Sequence, residues 1–322
     1  MDFAKPPYKD FAFYQKRKKG KWRLVPAPIV HAPVADTHAH LQMLPDPVWT
    51  LTRCAVLGVD FICDVCDPVE DDHMAYAGLE SWPREAAEAL KESKEACAPA
   101  CVPKLRVACG VHPHNAKSWN DVVEDSLLDR LADPRTAAVG EVGLDYHYNL
   151  SEPAQQRRAF VRQIQIAHET GLPLVLHMRE AHDEGLAILD AEGWPTGGVL
   201  LHCFNLGPAT LEPWIERGSY VAFGGPLTFK GADEVRQSAL MVPPERLLSE
   251  TDSPYMAPEP LRGAICGPEH TLFTIAAMAN LLCPDDPQAQ AVLMKQVHAN
   301  ALALLDREPT AWQLAKAERS HV

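Results

Sequence analysis

The chain has 322 residues, 47% hydrophobic and 23% charged, which is ordinary globular composition and enough length to bury a large core. Disorder, collagen and coiled coil are excluded as descriptions of the whole, and no apolar run reaches the roughly 18 residues a membrane helix needs. A net charge of −13 argues against a protein that grips nucleic acid over a broad basic face. It does not argue against an enzyme that meets phosphates only at a metal-filled pocket, because bound cations dominate local charge.

In chain order, residues 1–33 form an N-terminal extension in which Pro6, Pro7, Pro26, Pro28 and Pro33 favour extended chain. Its basic run, Lys16-Arg17-Lys18-Lys19-Gly20-Lys21-Trp22-Arg23, reads as a solvated arm. The N-terminus lacks the apolar region and small-residue cleavage site of a secretory signal, so the expected location is cytoplasmic.

Eight short apolar runs follow: Val34–His40, Asp60–Cys66, Leu105–His112, Thr136–Gly143, Leu172–Met178, Gly198–Cys203, Ser219–Gly225 and Leu247–Asp252. They are mostly continuous rather than alternating, as expected of parallel strands covered on both faces. Helix signals lie between them. Ser151-Glu152-Pro153 opens one helix, Phe160, Ile164, Ala167 and His168 line a face of it, and Gly171 closes it. Alternating strand and helix predict an α/β fold, and the count of eight predicts a (β/α)8 TIM barrel over residues 34–322. Residues 67–104, rich in Asp, Glu and Ala, predict a helical insertion between the second and third barrel strands.

The nine cysteines show no disulfide framework. Cys63-Asp64-Val65-Cys66 is a lone C-x-x-C inside an apolar run, and it reads as strand-end thiols rather than a zinc or redox pair.

The chemistry lies where His and acidic residues meet strand ends. His38 and His40 sit at i and i+2 at the end of the first run, a spacing that puts both imidazoles on one face of a strand. Glu141 stands near the end of the fourth run, His177 of the fifth, His202 of the sixth and Asp252 of the eighth. In a barrel those ends converge on one mouth, where active sites are built. Four imidazoles and two carboxylates crowded there need either shifted pKa values or a metal. The donors suit zinc, magnesium, manganese or iron, and six ligands suit two divalent ions better than one. Two ions about 4 Å apart lower the pKa of a shared water and neutralise charge building on a phosphoryl group.

Six motifs in order carry a resemblance: Asp36-Thr37-His38-Ala39-His40-Leu41, Gly110-Val111-His112-Pro113-His114, Gly140-Glu141-Val142-Gly143-Leu144-Asp145-Tyr146, Pro173 to Ala181, His202-Cys203-Phe204, and Glu250 to Pro258. Over roughly residues 34–305 the sequence resembles the TatD family of metal-dependent hydrolases, in the amidohydrolase superfamily. The resemblance implies a two-metal site and deoxyribonuclease activity, often 3′-to-5′ exonucleolytic, with single-stranded DNA or its 3′ ends as substrate. By position it implies His38, His40, Glu141 and Asp252 as ligands of one ion, and Glu141, His177 and His202 as ligands of the other. Glu141 would bridge, Asp252 would take the proton of the attacking water, and His112 and Arg179 would contact substrate.

The sequence departs from the family after the Asp252 motif. Arg262-Gly263-Ala264-Ile265-Cys266-Gly267-Pro268 stands where members commonly read Arg-Gly-Lys-x-Asn-Glu-Pro, so an altered loop is expected beside the pocket, with Glu269 as a replacement acid. His202-Cys203-Phe204-Asn205-Leu206-Gly207 carries one extra residue. His114 and His147 are further candidates for the mouth, His73 and His182 read as surface residues, and Trp119, Tyr146 and Phe204 could offer a stacking face. The alternatives are a related two-metal hydrolase cutting a non-nucleic ester or amide, and a metal-binding scaffold without catalysis. Amide-cleaving relatives often bridge their metals with a modified Lys on the fourth strand, whereas Glu141 holds that place here. No membrane and no obligate protein partner is expected.

Overall fold

The computed structural model describes residues 10–17, 20–92 and 101–320. Part of the basic run and part of the 67–104 segment lie outside the described residues. No helix among the described residues is long and apolar enough to cross a membrane.

The chain begins with an antiparallel hairpin of β1 (Phe13–Lys16) and β2 (Trp22–Val25). Eight parallel strands then lie side by side in sequence order: β3 (Val34–Ala39), β4 (Val59–Cys66), β5 (Lys104–Cys109), β6 (Thr136–Asp145), β7 (Leu174–Arg179), β8 (Val199–Leu201), β9 (Tyr220–Phe223) and β10 (Leu247–Ser249). Each falls on one of the eight apolar runs. The helices are α1 (Pro47–Leu57), α2 (Asp72–Glu92), α3 (Asp121–Ala132), α4 (Pro153–Thr170), α5 (His182–Glu192), α6 (Pro208–Glu216), α7 (Asp233–Met241), α8 (Thr271–Leu282), α9 (Pro287–Leu305) and α10 (Ala311–Ser320). This is a (β/α)8 TIM barrel.

Side-chain and loop hydrogen bonds close the last seam. The Ser249 hydroxyl donates to the Ala35 carbonyl at 3.0 Å, and the Thr37 hydroxyl donates to the Ser249 carbonyl at 3.1 Å. Above them the Asp252 N–H donates to the His38 carbonyl (2.9 Å) and the His40 N–H to the Ser253 carbonyl (2.8 Å). The buried Asp36 carboxylate accepts from the Thr251 N–H and hydroxyl and from the His38 N–H. Asp36 and Thr251 therefore tie the strand bearing His38 to the loop bearing Asp252, which explains two motif residues that carry no chemistry themselves.

Every barrel strand contributes to one interior cluster, including Phe61, Cys63, Val65, Val175, Leu200 and Leu248, and Leu304 and Leu305 of α9 complete it. The barrel is thus filled rather than hollow, and polar side chains can gather only at its mouth. Helix α4 shows how local signals become structure. Pro153 occupies its first turn, Glu152 and Gln155 form a capping box, and Gly171 ends it at φ +70°. Phe160, Ile164 and Ala167 are buried as the spacing predicts, but His168 is exposed and reaches the Gly193 carbonyl at 3.1 Å.

The extension differs from the expected extended arm. It folds back because Phe13 is 1% exposed and meets Phe273 of α8 edge-on at 4.9 Å. The buried Arg53 of α1 donates to the Asp10 and Ala12 carbonyls, and its Nε lies 3.4 Å from Glu269 Oε1. Ala264 to Gly267, Glu269 and His270 line a small cavity against Ala12, Phe13 and Tyr14. The altered loop therefore packs on the hairpin, and none of Arg262 to Glu269 lines the central cavity among its described residues. The expectation that this loop reshapes the substrate pocket is corrected on that ground, as is the role of Glu269 as a replacement acid there. Burial of Arg53 called for a counter-charge, and Glu269 provides it.

Phe13→Ala removes a fully buried ring from the joint between hairpin and barrel. It should lower stability by about 3–5 kcal/mol in urea unfolding, whereas an unchanged midpoint would show the hairpin to be an ornament.

Candidate active site

The six predicted residues come together in the carboxyl-terminal half of the barrel, where His40, Glu141, His177, His202 and Asp252 line a cavity of about 490 Å³ and His38 lies buried behind them. The centre is Glu141, 6% exposed at the middle of β6. Its Oε1 lies 2.7 Å from His177 Nδ1, 3.0 Å from His202 Nε2 and 3.7 Å from His112 Nε2, and its Oε2 lies 3.4 Å from His38 Nε2. His40 Nε2 stands 3.7 Å from Asp252 Oδ1. Close packing of motif backbones makes this convergence possible. Gly143 sits at φ +144°, and a Cβ there would lie 2.1 Å from the His177 carbonyl oxygen.

Each predicted His ligand except His38 has its second ring nitrogen facing an acceptor. His40 Nδ1 faces the Val65 carbonyl at 3.0 Å, His177 Nε2 faces Asp145 Oδ2 at 3.1 Å, and His202 Nδ1 faces Glu250 Oε1 at 3.3 Å. Outer acceptors of this kind orient imidazoles for a metal. Asp145 and Glu250 are the residues that sequence reasoning missed. Both lay in quoted motifs, and Glu250 stands two before Asp252, the same i, i+2 spacing that identified His38 and His40.

His112 is arranged differently. Its Nδ1 accepts the His114 N–H at 3.2 Å, so in the neutral ring Nε2 carries the hydrogen and faces Glu141 as a donor. A nitrogen bearing hydrogen is not a metal ligand. His112 is therefore suited to the substrate side, although His112, Glu141 and His177 bring ligand atoms within 4.8 Å of one another.

Charge in the cluster is finely divided. Burial pushes the Glu141 carboxyl up, but His202, His112, His38 and His177 together hold it well below the usual carboxylate range. Burial also opposes protonation of His177 and His202, yet Glu141 with Asp145 raises the first, and Glu141 with Glu250 raises the second well above its ordinary value. Burial lowers His38, helped by the neighbouring His202, and burial lowers His112. His40 rises to about 9 against its own burial because Asp252 faces it.

The residues present fit divalent cations. His38 is fully buried, stacks on His202 at 3.8 Å, and has no hydrogen-bond partner at either ring nitrogen. An imidazole left like this is costly unless a cation takes a lone pair. Ligand atoms of His38, His40 and Glu141 lie within 4.8 Å of one another, as do those of His38, His202 and Glu250. Mixed imidazole and carboxylate donors suit zinc, manganese or magnesium.

The other candidates separate clearly. Arg179 and His114 line the cavity, and His114 Nε2 meets Asp145 Oδ2 at 2.8 Å. His147 is exposed and pairs with Glu180 at 2.7 Å outside the lining. His182 corrects its surface assignment: it is 9% exposed, packs edge-on against Phe204 and Trp214, and burial lowers its pKa to about 4. Phe204 is buried, Trp119 packs on the core, and Tyr146 donates to Glu184, so none offers a stacking face at the mouth. Cys63 and Cys66 are both buried on β4, and Cys66 reaches the cavity wall.

Protons and cations compete for these imidazoles. A group raised to about 9, as His40 is, holds its proton below that pH, so metal affinity should rise as pH climbs from 6 to 9. Calorimetric titration of metal-free protein in buffers of different ionisation heat should show net proton release, and affinity independent of pH would contradict this.

Comparison with known proteins agrees with the geometry. Residues 35–305 match the family model described as TatD related DNase. A Mycobacterium tuberculosis protein named an uncharacterized metal-dependent hydrolase TatD is 32% identical over 259 residues, covering 77% of this chain and 90% of that protein. A Salmonella typhimurium protein named 3′-5′ ssDNA/RNA exonuclease TatD is 35% identical over 178 residues, covering 55% of this chain and 66% of that protein. Among solved structures, the Escherichia coli K12 TatD homologue YJJV superimposes with a TM-score of 0.70 at 25% identity, covering 85% of this chain and 98% of that one. The chain belongs to the TatD family of metal-dependent hydrolases.

Proposed function

We propose that the protein is a metal-dependent phosphodiesterase that removes nucleotides from the 3′ ends of single-stranded DNA. The observation that carries this reading is a buried anionic Glu141 among the imidazoles of His38, His112, His177 and His202, in a cavity that also holds Arg179. The Salmonella relative's name adds support.

His38, His40, Glu141 and Asp252 would hold one ion and Glu141, His177 and His202 a second, with Glu141 bridging. When bound, such ions polarise a phosphoryl group and acidify a nearby water. Asp252 would orient the attacking water and accept its proton as the water oxygen bonds to phosphorus and the P–O bond to the 3′ oxygen of the remaining chain breaks. Its carboxylate suits the task because it borders the cavity and is 19% exposed, open enough to meet a water. The Asp252 backbone is held in the left-handed region at φ +60°, a conformation the His38 carbonyl and Tyr255 N–H fix by hydrogen bonds. His112 donates from Nε2 to a phosphoryl or leaving oxygen, and Arg179 neutralises an adjacent phosphate. Asp145 and Glu250 position His177 and His202.

The test is a single-stranded oligonucleotide labelled at its 5′ end, incubated with metal-free protein to which magnesium, manganese or zinc is restored. A metal-dependent ladder shortening from the 3′ end is expected, and Asp252→Asn should slow it by about 10²–10⁴-fold while keeping the cooperative melting transition. No cleavage by folded, metal-loaded protein would overturn the nuclease reading.

A further inference from the structure

The walls of the central cavity differ in chemistry. On one side the loop after β4 brings Asp67, Glu70 and Asp71. Their carboxylates are held in place: Asp67 accepts from the His112 and Val69 N–H groups, Asp71 from the Asp67 N–H and from Gln42, and Glu70 from Asn115. Two and three strands further round the barrel, the loop after β6 and the end of β7 bring Tyr148 and Arg179. Arg179 is the one Lys or Arg among the described lining residues.

Tyr148 is the aromatic face that Trp119, Tyr146 and Phe204 do not supply. It is 54% exposed, and the Arg179 guanidinium sits 4.5 Å from its ring centre. Its backbone N–H donates to Asp145 at 2.8 Å, and Asp145 in turn faces His177, which ties the Tyr148 backbone to the imidazole cluster. An exposed ring beside a guanidinium is the pair of contacts that one nucleotide, with its base and its phosphate, can use together. The opposite wall carries three carboxylates and no Lys or Arg among the described lining residues.

We propose that this asymmetry reads the end of the substrate chain. The polynucleotide leaves the cavity over Tyr148 and Arg179, and the sugar of the nucleotide being released faces Asp67, Glu70 and Asp71. That wall accepts a hydrogen bond from a free terminal hydroxyl and repels a terminal phosphate. Tyr148 is thereby a substrate-positioning residue and Glu70 a specificity-determining one. The inference rests on the nuclease reading above and adds which wall of the cavity holds the chain and which end group is accepted.

The experiment compares oligonucleotides of one sequence, labelled at the 5′ end and finished with either a 3′-hydroxyl or a 3′-phosphate, under single turnover with manganese-loaded enzyme. Bis(4-nitrophenyl) phosphate, a diester with neither chain nor end group, reports the metal centre alone. The hydroxyl-ended strand should be cut about 100-fold faster, because like charges brought together cost several kcal/mol. Glu70→Gln should narrow that ratio to about 10-fold by raising the rate on the phosphate-ended strand, and Glu70→Lys should narrow it further. Tyr148→Ala should raise KM for the oligonucleotide about 10-fold, the scale of one lost base stack. Fluorescence anisotropy with metal-loaded Asp252→Asn should show the same preference in binding. Equal rates on both ends, or a ratio that neither Glu70 variant moves, would overturn the inference and leave the nuclease reading standing. Hydrolysis of the small diester with no cleavage of either oligonucleotide would overturn both.

Discussion

A carboxylate buried among imidazoles is the constraint on which the rest of the molecule depends. Glu141 is 6% exposed, and an isolated anion at that depth would be protonated. It stays ionised because His38, His112, His177 and His202 arrive from four different strand ends. The filled barrel interior fixes those ends, and the Asp36–Thr251 contact fixes the seam where the first and last strands meet. Protons on His177 and His202 can neutralise Glu141, but they leave His38 Nδ1 buried without a hydrogen-bond partner. Cations satisfy both at once. Fold and site are thus one electrostatic problem, and divalent metal is its natural solution.

The outer residues divide the labour further. Asp145 faces both His114 and His177 while accepting the Tyr148 N–H, so one buried carboxylate connects an imidazole of the Glu141 cluster to the cavity rim. Glu250 accepts the Cys203 N–H at 2.6 Å and faces His202. Neither needs to touch substrate to matter, because ring orientation decides which nitrogen is free to bind a cation.

Much of this was legible in the sequence, for physical reasons. Eight apolar runs marked the strands because strands buried on both faces must be continuously apolar, and His38 with His40 marked an inward face because strand side chains alternate. Long-range packing was not legible. Pro-rich residues before β3 suggested an extended arm, yet Phe13 folds a hairpin back onto α8, a contact 260 residues away in sequence. The altered loop at 262–268 looked like a substrate determinant and instead meets that hairpin through Arg53 and Glu269. His182 carried no local sign of burial, because Phe204 and Trp214 come to it from other elements. The altered loop and the N-terminal hairpin thus pack against each other.

The central claim of the proposed function is that Glu141 would be shared by two cations. Native mass spectrometry of the metal-loaded protein and of Glu141→Gln tests it most directly, because it counts ions without reference to any substrate. The account predicts two divalent ions in the wild-type protein and at most one in the variant, with both chains folded. One ion in the wild type, or two retained by Glu141→Gln, would contradict it.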